Sequence, residues 1–498
     1  MRYSSSNSTH AIARAAVLKG FAAVGRARCN GRLCSLKYLS PVRRDRHPSM
    51  TNSVLAGGAV VILLVVLITL IAARFALKPI SEQEKEQAAV TSPSSDLSTA
   101  EAIPEGQGFI FGRVTAEDGA IYEGRLRFGG DEEAFWGDYF NGFKDKNPWA
   151  AQAPLDQLTE RRPLEIFGVE VFHWERQAEL GRPFMARFGD ITRIEPNGGD
   201  LRVTLKSGTI FHLDLFAADD FADGVRVWDT KHGVVDLHEA QIRAIDLLPT
   251  GRLGKVPDRL HGTVSSRGGD FTGFIQWDRQ KSVGSDELTG QTAKGELRLR
   301  FGSVRSIVRN SSNSSLVTLL DGNGIVLSDT PDVGPGNRGM YVDDPRYGRV
   351  LISWDDFKRA DFRPGGGSPA YGDFPTGGPL TGDVITRDGR RLAGRLVYDL
   401  DESETTETLD APSQGVDYTI LFGLIAAVVL PGPEERARLT LHSGEVLQLD
   451  LAGDLGGGNA GMLIFVDGRK QPEYVRWPEI EQIHFDRPST TYPPIEKR

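Results

Sequence analysis

From residue 107 onward the chain consists of short runs in which apolar and polar residues alternate, punctuated by glycine. Leu201, Val203 and Leu205 alternate before Lys206-Ser207-Gly208, and Ile210 to Leu215 follow. Val317 to Leu320 lead into Asp321-Gly322. Leu439 and Leu441 lead into His442-Ser443-Gly444, after which Val446, Leu447 and Leu449 return. Period-two alternation beside a glycine predicts a β-hairpin, because successive strand side chains face opposite sides and glycine takes the positive φ of the turn.

The hairpins belong to a longer pattern written three times. It opens with Gly112-x-Val114 and Gly124-x-Leu126-x-Phe128, with Gly262-x-Val264 and Gly273-x-Ile275-x-Trp277, and with Gly382-x-Val384 and Gly394-x-Leu396-x-Tyr398. A Phe-Gly pair follows each time, at Phe188-Gly189, Phe301-Gly302 and Phe422-Gly423. From the hairpin glycines to Gly224, Gly339 and Gly461 the intervals are 16, 17 and 17 residues. Each copy closes on spaced apolar residues: Ile242-x-x-Ile245-x-Leu247, Trp354-x-x-Phe357, and Trp477-x-x-Ile480-x-x-Ile483-x-Phe485. An aromatic with apolar residues three and six later predicts one helical turn leading into a closing strand. The fold expected is mainly β: three tandem small barrel-like or sandwich modules preceded by one transmembrane helix. In outline the half-unit resembles small SH3-like or Sm-like barrels; it carries no diagnostic motif of either and implies no function.

Val54 to Ala73 is a run of 20 uncharged residues, which as a helix just spans a hydrocarbon core of about 30 Å. The expected organisation is a targeting or unstructured segment at 1–49, an anchor at 50–79 and a flexible spacer at 80–106. A first β unit with an aromatic insertion follows at 107–250 and a second at 259–362. A Gly/Pro linker at 363–379, a third unit at 380–487 and a tail at 488–498 complete the chain. Arg43, Arg44 and Arg46 precede the apolar run and outweigh Arg74 and Lys78, so the charge rule places the β region outside the cytoplasm. A start at Met50 removes those arginines and reverses the rule.

Length and charge refine this picture. At 498 residues the chain exceeds what one core sustains. Residues 1–79 hold 12 Lys/Arg and one acid, Asp45, which leaves 46 basic and 66 acidic residues in the remainder. Net negative charge there repels a phosphate backbone, so no nucleic-acid partner is expected. The only cysteines, Cys29 and Cys34, precede the β region, which therefore has neither a disulfide framework nor a thiolate metal site. The expected partners are the bilayer through 54–73 and an envelope protein or glycan.

Candidate chemistry is sparse. Nucleophile-elbow, zincin and Walker motifs are absent, and the glycine clusters Gly365-Gly366-Gly367 and Gly456-Gly457-Gly458 lack the strand–helix context and the lysine that a phosphate cradle needs, so they are expected to be turns or linkers. Asp131 to Leu164 holds Trp136, Tyr139, Phe140, Phe143 and Trp149 among charged residues. Trp136, Tyr139 and Trp149 are candidates for a surface platform that binds sugar or peptide; the alternative is a loop whose aromatics pack on the β unit. Asp219, Asp220 and Asp223 are candidate ligands for calcium. Against that stands the capping of turns by Asp and Asn, for which Asn337-x-Gly339 and Asn459-x-Gly461 are further candidates. Acid runs follow Trp277 and Tyr398, at Asp278, Asp286 and Glu287 and at Asp399, Glu402, Glu404 and Glu407. A carboxyl pair about 5 Å or roughly 6.5–9.5 Å apart hydrolyses glycosidic bonds, but acids recurring in several copies fit a structural role better. The function expected is a membrane-anchored, non-catalytic scaffold or recognition protein; the alternative is a glycan or polymer hydrolase using acidic loop residues.

Overall fold

The computed structural model describes residues 107–129, 131–145, 147–154, 159–166, 169–177, 182–253, 256–363, 368–432 and 435–488, with 159–177 described by its backbone. The expected membrane helix at 54–73, the 1–49 segment and the 80–106 spacer lie outside the described residues. Among those that are described, no helix is long and apolar enough to cross a membrane.

The chain is mainly β. The first stretch comprises β1 (Phe111–Ala116), β2 (Ile121–Phe128), β3 (Tyr139–Lys144), β4 (Thr159–Ile166), β5 (Val169–Gln177), β6 (Arg182–Arg187), β7 (Ile191–Asn197), β8 (Asp200–Leu205), β9 (Ile210–Asp214), β10 (Val225–Asp229), β11 (Gly233–Leu237) and β12 (Ile242–Leu247). One short helix, α1 (Asp219–Ala222), precedes β10. The second comprises β13 (His261–Ser266), β14 (Asp270–Gln276), β15 (Glu287–Thr292), β16 (Gly295–Arg300), β17 (Val304–Arg309), β18 (Ser314–Leu319), β19 (Gly324–Ser328), β20 (Met340–Asp344), β21 (Gly348–Ile352) and β22 (Phe357–Arg363). The third comprises β23 (Thr381–Thr386), β24 (Arg391–Val397), β25 (Thr408–Ser413), β26 (Val416–Leu421), β27 (Ile425–Val429), β28 (Ala437–Leu441), β29 (Val446–Leu449), β30 (Met462–Val466), β31 (Glu473–Val475) and β32 (Ile480–Phe485).

Three large antiparallel sheets result, together with the separate β4–β5 hairpin. Their orders share one course. The first runs β11-β10-β2-β1-β12-β7-β8-β9-β3-β6. The second contains β21-β20-β14-β13-β22-β17-β18-β19-β15-β16, and the third β31-β30-β24-β23-β32-β27-β28-β29. The hairpin β25–β26 adds instead to the second sheet, where β26 pairs with β21 through Val350↔Tyr418 and Leu351↔Asp417. In consequence one buried apolar core runs through the second and third stretches, while the first has its own.

Alternation explains the strands. In β8, Leu201, Val203 and Leu205 are buried and the residues between them half-buried. The hairpin glycines Gly208, Gly322 and Gly444 have φ of +87°, +91° and +91°, as their turns require. Phe188–Asp190, Phe301–Ser303 and Phe422–Leu424 each form one 3₁₀ turn with a buried phenylalanine. Glu239–Gln241 and Trp477–Glu479 form the equivalent turns before β12 and β32.

The paired glycines of the opening hairpins face one another across the ladder: Gly112↔Gly124, Gly262↔Gly273 and Gly382↔Gly394. A Cβ on Gly112, Gly262 or Gly382 would meet the carbonyl of Asp246, Asp361 or His484 at 2.6, 2.1 or 1.9 Å. One on Gly124, Gly273 or Gly394 would meet the carbonyl of Trp228, Asp343 or Phe465 at 2.0, 2.0 or 2.1 Å. Neighbouring backbone thus fills the space a side chain would need, and only glycine fits.

The Gly/Pro-rich stretch expected as a linker is partly core. Tyr371 and Phe374 are buried in the first core, the Tyr371 hydroxyl donates to Ile191 O (2.8 Å), and the Phe374 ring occupies the space a Cβ on Gly189 would take. Its glycine and proline content hid two anchoring aromatics.

Replacing Gly273 with Ala is expected to cost at least about 2 kcal/mol through overpacking against backbone. Gly199→Ala, where nothing lies within 4 Å, is expected to stay within about 0.5 kcal/mol. Urea unfolding of the two variants compares them.

Candidate functional site

Most conspicuous acids in the loops hold backbone. Asp138 accepts from the amides of Glu133 (2.9 Å) and Ala134 (2.8 Å). Asp286 does the same for Ser282 (2.8 Å) and Val283 (3.0 Å), and Glu407 for Ser403 (2.7 Å) and Glu404 (3.0 Å). A second series reaches across strands: Asp220, Asp332 and Asp454 accept from the amides of Asn141 (2.7 Å), Thr289 (2.7 Å) and Asp410 (2.6 Å). Asn337 and Asn459 accept from the amides of Gly339 (2.9 Å) and Gly461 (2.8 Å), the side-chain-capped turn.

The candidate calcium ligands are distributed accordingly. Asp219 opens α1, Asp220 also accepts from Asn141 Nδ2 (3.0 Å), and Asp223 is at the surface. Among the described residues, no group of three or more His, Cys, Asp or Glu is arranged to hold a metal ion.

The three candidate platform aromatics pack inward or against neighbouring strands. Trp136 and Tyr139 are buried. The Arg187 guanidinium lies 5.2 Å from the Trp136 ring and Arg349 lies 4.4 Å from Tyr139. Trp149 meets Phe465 edge-on at 5.8 Å and lies under Arg395 at 4.9 Å. The aromatics therefore join stretches of the chain, and the loop-packing alternative describes their placement.

Trp149 marks the junction of the first and third stretches, where charge is concentrated. A small cavity of about 100 Å³ opens there, lined by Lys144, Arg182, Asp399, Glu402, Asp410 and Asp454 among others. Lys144, at the end of β3, is buried; its Nζ donates to Glu407 Oε1 (2.6 Å) and lies 3.1 Å from Asp401 Oδ2. Arg182, at the start of β6, pairs with Asp399 (3.3 Å), whose carboxylate also accepts from the Ala460 amide. Asn147 Nδ2 donates to Leu400 O (2.9 Å), and Thr209 Oγ1 to Glu404 Oε1 (2.8 Å).

Burial and crowding set the protonation here. Desolvation, opposed by Arg182, pushes the Asp399 carboxyl up to about 6. Desolvation and the neighbouring Asp401 and Asp454 hold Glu402 well above the usual carboxylate range. Desolvation and Asp410 do the same to Asp454. Burial opposes the Lys144 charge, but Asp401 and Glu407 reverse that and raise its pKa above the ordinary lysine value.

The other two junctions differ in kind. The second and third stretches join through the β21–β26 ladder. Between the first and second, Arg259 donates to Trp136 O (2.5 Å), and Arg349, paired with Asp343 (3.0 Å), lies over the Tyr139 ring at 4.4 Å; Asp138, Asp343 and Glu133 are the acids that act on Arg259. Lys144, Arg182 and Arg259 were not among the residues read as functional from sequence. The only local signal for Lys144 is a lysine directly after Phe143 in an aromatic stretch.

No protein-family model, curated protein or solved structure matches this chain.

Lys144→Met is expected to destabilise the chain by about 3 to 5 kcal/mol at pH 7, because it leaves buried carboxylates without their cation. The loss shrinks at pH 5, where Asp399, pushed up to about 6, holds its proton and leaves less negative charge around the missing ammonium. Denaturant unfolding at the two pH values measures both.

Proposed function

We propose that this chain is a membrane-anchored, non-catalytic scaffold or recognition protein, built from one β module used three times. The observation that carries this reading is the shared strand order of the three sheets, together with glycine contacts and carboxylate clips at equivalent places. Each stretch spends its acids on its own backbone amides, which is the economy of a structural module. A hydrolase needs a carboxyl pair held open to substrate; of the acids that suggested one, Asp286 and Glu407 are occupied as clips. Aromatics that a binding platform would expose are used to join modules, so recognition falls to outer strands and loops.

The anchor is the 54–73 run, whose length suits a single span. Arg43, Arg44 and Arg46 ahead of it support a β region outside the cytoplasm. An envelope protein or a glycan is the partner class that this placement favours.

The full-length chain is expected in the membrane fraction, resistant to carbonate extraction, and a variant lacking residues 54–73 in the soluble fraction. Protease added to intact cells is expected to remove the β region. Soluble full-length chain would contradict the anchor, and complete protection of the β region would contradict the side. Release of reducing ends from a panel of polysaccharides by the purified chain would overturn the non-catalytic reading.

A further inference from the structure

Within the chain, the edge of one sheet already receives a strand from the next stretch. β26 lies on β21 in the register Arg349↔Thr419, Val350↔Tyr418, Leu351↔Asp417 and Ile352↔Val416. Both strands are covered as a result: every residue of β21 and all but one of β26 are buried.

The shared strand order gives both strands counterparts elsewhere. β11 corresponds to β21: each begins on a glycine of positive φ, Gly233 or Gly348, and pairs inward over five residues with β10 or β20. β16 corresponds to β26: each runs six residues and ends directly before a Phe-Gly turn. β11 and β16 each end a sheet, and among the described residues neither has a strand on its outer side. Only Leu237 of β11 is buried, and no residue of β16 is. A Cβ on Gly348 would meet Thr419 O at 2.7 Å, whereas one on Gly233 would meet nothing within 4 Å.

The other sheet ends are blunted against further pairing. β6 and β25 carry Pro183 and Pro412, which cannot donate to a ladder. β31 is three residues long, and β29 lies against β25, where the Asp450 amide donates to Pro412 O (2.9 Å). β11 and β16 have no proline. The charges of β16, Glu296, Arg298 and Arg300, alternate with Leu297 and Leu299, so they stand on one face of the sheet and leave the edge backbone open.

We propose that β16 of one copy of the chain pairs with β11 of a second copy, repeating between molecules the ladder that β26 and β21 form within one. The two edges are different surfaces, so the contact is head-to-tail and propagates into a ring or an open filament. In the register of the internal ladder, Val234 faces Arg298, Val235 faces Leu297, Asp236 faces Glu296 and Leu237 faces Gly295. Val235 and Leu297 already pack on their own cores, and their pairing joins those cores as Val350 and Tyr418 do inside the chain. Asp236 opposite Glu296 works against pairing. Each of these acids holds an arginine of its own sheet, Arg226 (2.6 Å) or Arg298 (2.8 Å), which tempers the repulsion. The contact is therefore weak and reversible, and forms where chains are concentrated. It uses two sheet edges alone and is independent of the anchor and of the side of the membrane on which the β region lies.

Mixed cross-linking of the full-length chain tests the pairing. With Cys29 and Cys34 replaced by Ser, one preparation carries Val234→Cys and a second, differently tagged, carries Arg298→Cys; both side chains are exposed, so neither change disturbs a core. At about 100 μM in detergent, a concentration that populates weak complexes, mild oxidation is expected to give the mixed dimer. It forms at least about tenfold faster than either preparation alone gives its own dimer, because a disulfide needs close and correctly directed Cβ atoms. By sedimentation velocity of chains without these cysteines, Val234→Glu is expected to tighten self-association about threefold and Val234→Lys to weaken it as much, through the charge of Arg298. Absence of the mixed dimer, or equal rates for mixed and unmixed preparations, would overturn the proposal. So would a change in the same direction for Val234→Glu and Val234→Lys. An intramolecular bond in a monomeric chain bearing both cysteines would overturn it too, since the two edges would then meet within one molecule.

Discussion

The structure depends on backbone packed directly against backbone at the paired glycines of the opening hairpins. With no Cβ on either residue, the strand carrying Gly112, Gly262 or Gly382 lies on the carbonyl of its closing strand, and its partner lies on the carbonyl of β10, β20 or β30. This close approach lets the opening hairpin sit inside each sheet with neighbours on both sides. The positions that follow are then set by strand alternation. Phe128, Trp277 and Tyr398 come four residues after the second glycine, turn into the core and are fully buried. The acids beyond them fall where they can clip the loop leading to the next strand.

Against that shared frame the junctions between stretches are built from different physics. One is hydrogen-bonded sheet, whose strength lies in the ladder and in Val350, Ile352, Tyr418 and Ile420 on one buried core. Another sets Arg259 and Arg349 among the carboxyls of Glu133, Asp138 and Asp343, with the Tyr139 and Tyr341 rings under Arg349. The last joins Lys144 and Arg182 of the first stretch to Asp399, Asp401 and Glu407 of the third. A buried ion pair contributes modestly when complete and costs much when one side is missing, so removing Lys144 is costlier than its net contribution suggests. The second and third stretches share one buried core, and the first has its own.

Much of the architecture was legible in the sequence. Hairpins at Gly208, Gly322 and Gly444, the Phe-Gly turns and the turn preceding Ile480 follow from alternation and spacing, which are local. What spacing does not reveal is pairing register. That Gly124 faces Gly112 and also abuts Trp228 depends on a strand about a hundred residues away. The acids were visible as clusters, but their partners are backbone amides, which no residue type marks. Asp219, Asp220 and Asp223 looked like a group because they are near in sequence; Asp220 belongs to Asn141, on another strand. Trp136, Tyr139 and Trp149 declared an aromatic loop without saying which way it faces. Lys144 and Arg182 meet acids more than 200 positions away, and Tyr371 and Phe374 were masked by the glycine and proline around them. Local chemistry was readable; long-range compensation was not.

The most direct test of one architecture used three times is disulfide trapping at three equivalent long-range positions. The facing pairs are Arg127/Arg226, Gln276/Tyr341 and Val397/Leu463, and replacing Cys29 and Cys34, the only native cysteines, leaves a clean background. Double-cysteine variants at all three pairs are predicted to cross-link under mild oxidation of the folded chain, each through its own intramolecular bond. Closure at one pair and failure at the other two in folded protein would mean that the stretches do not share a common strand order, and would contradict the account.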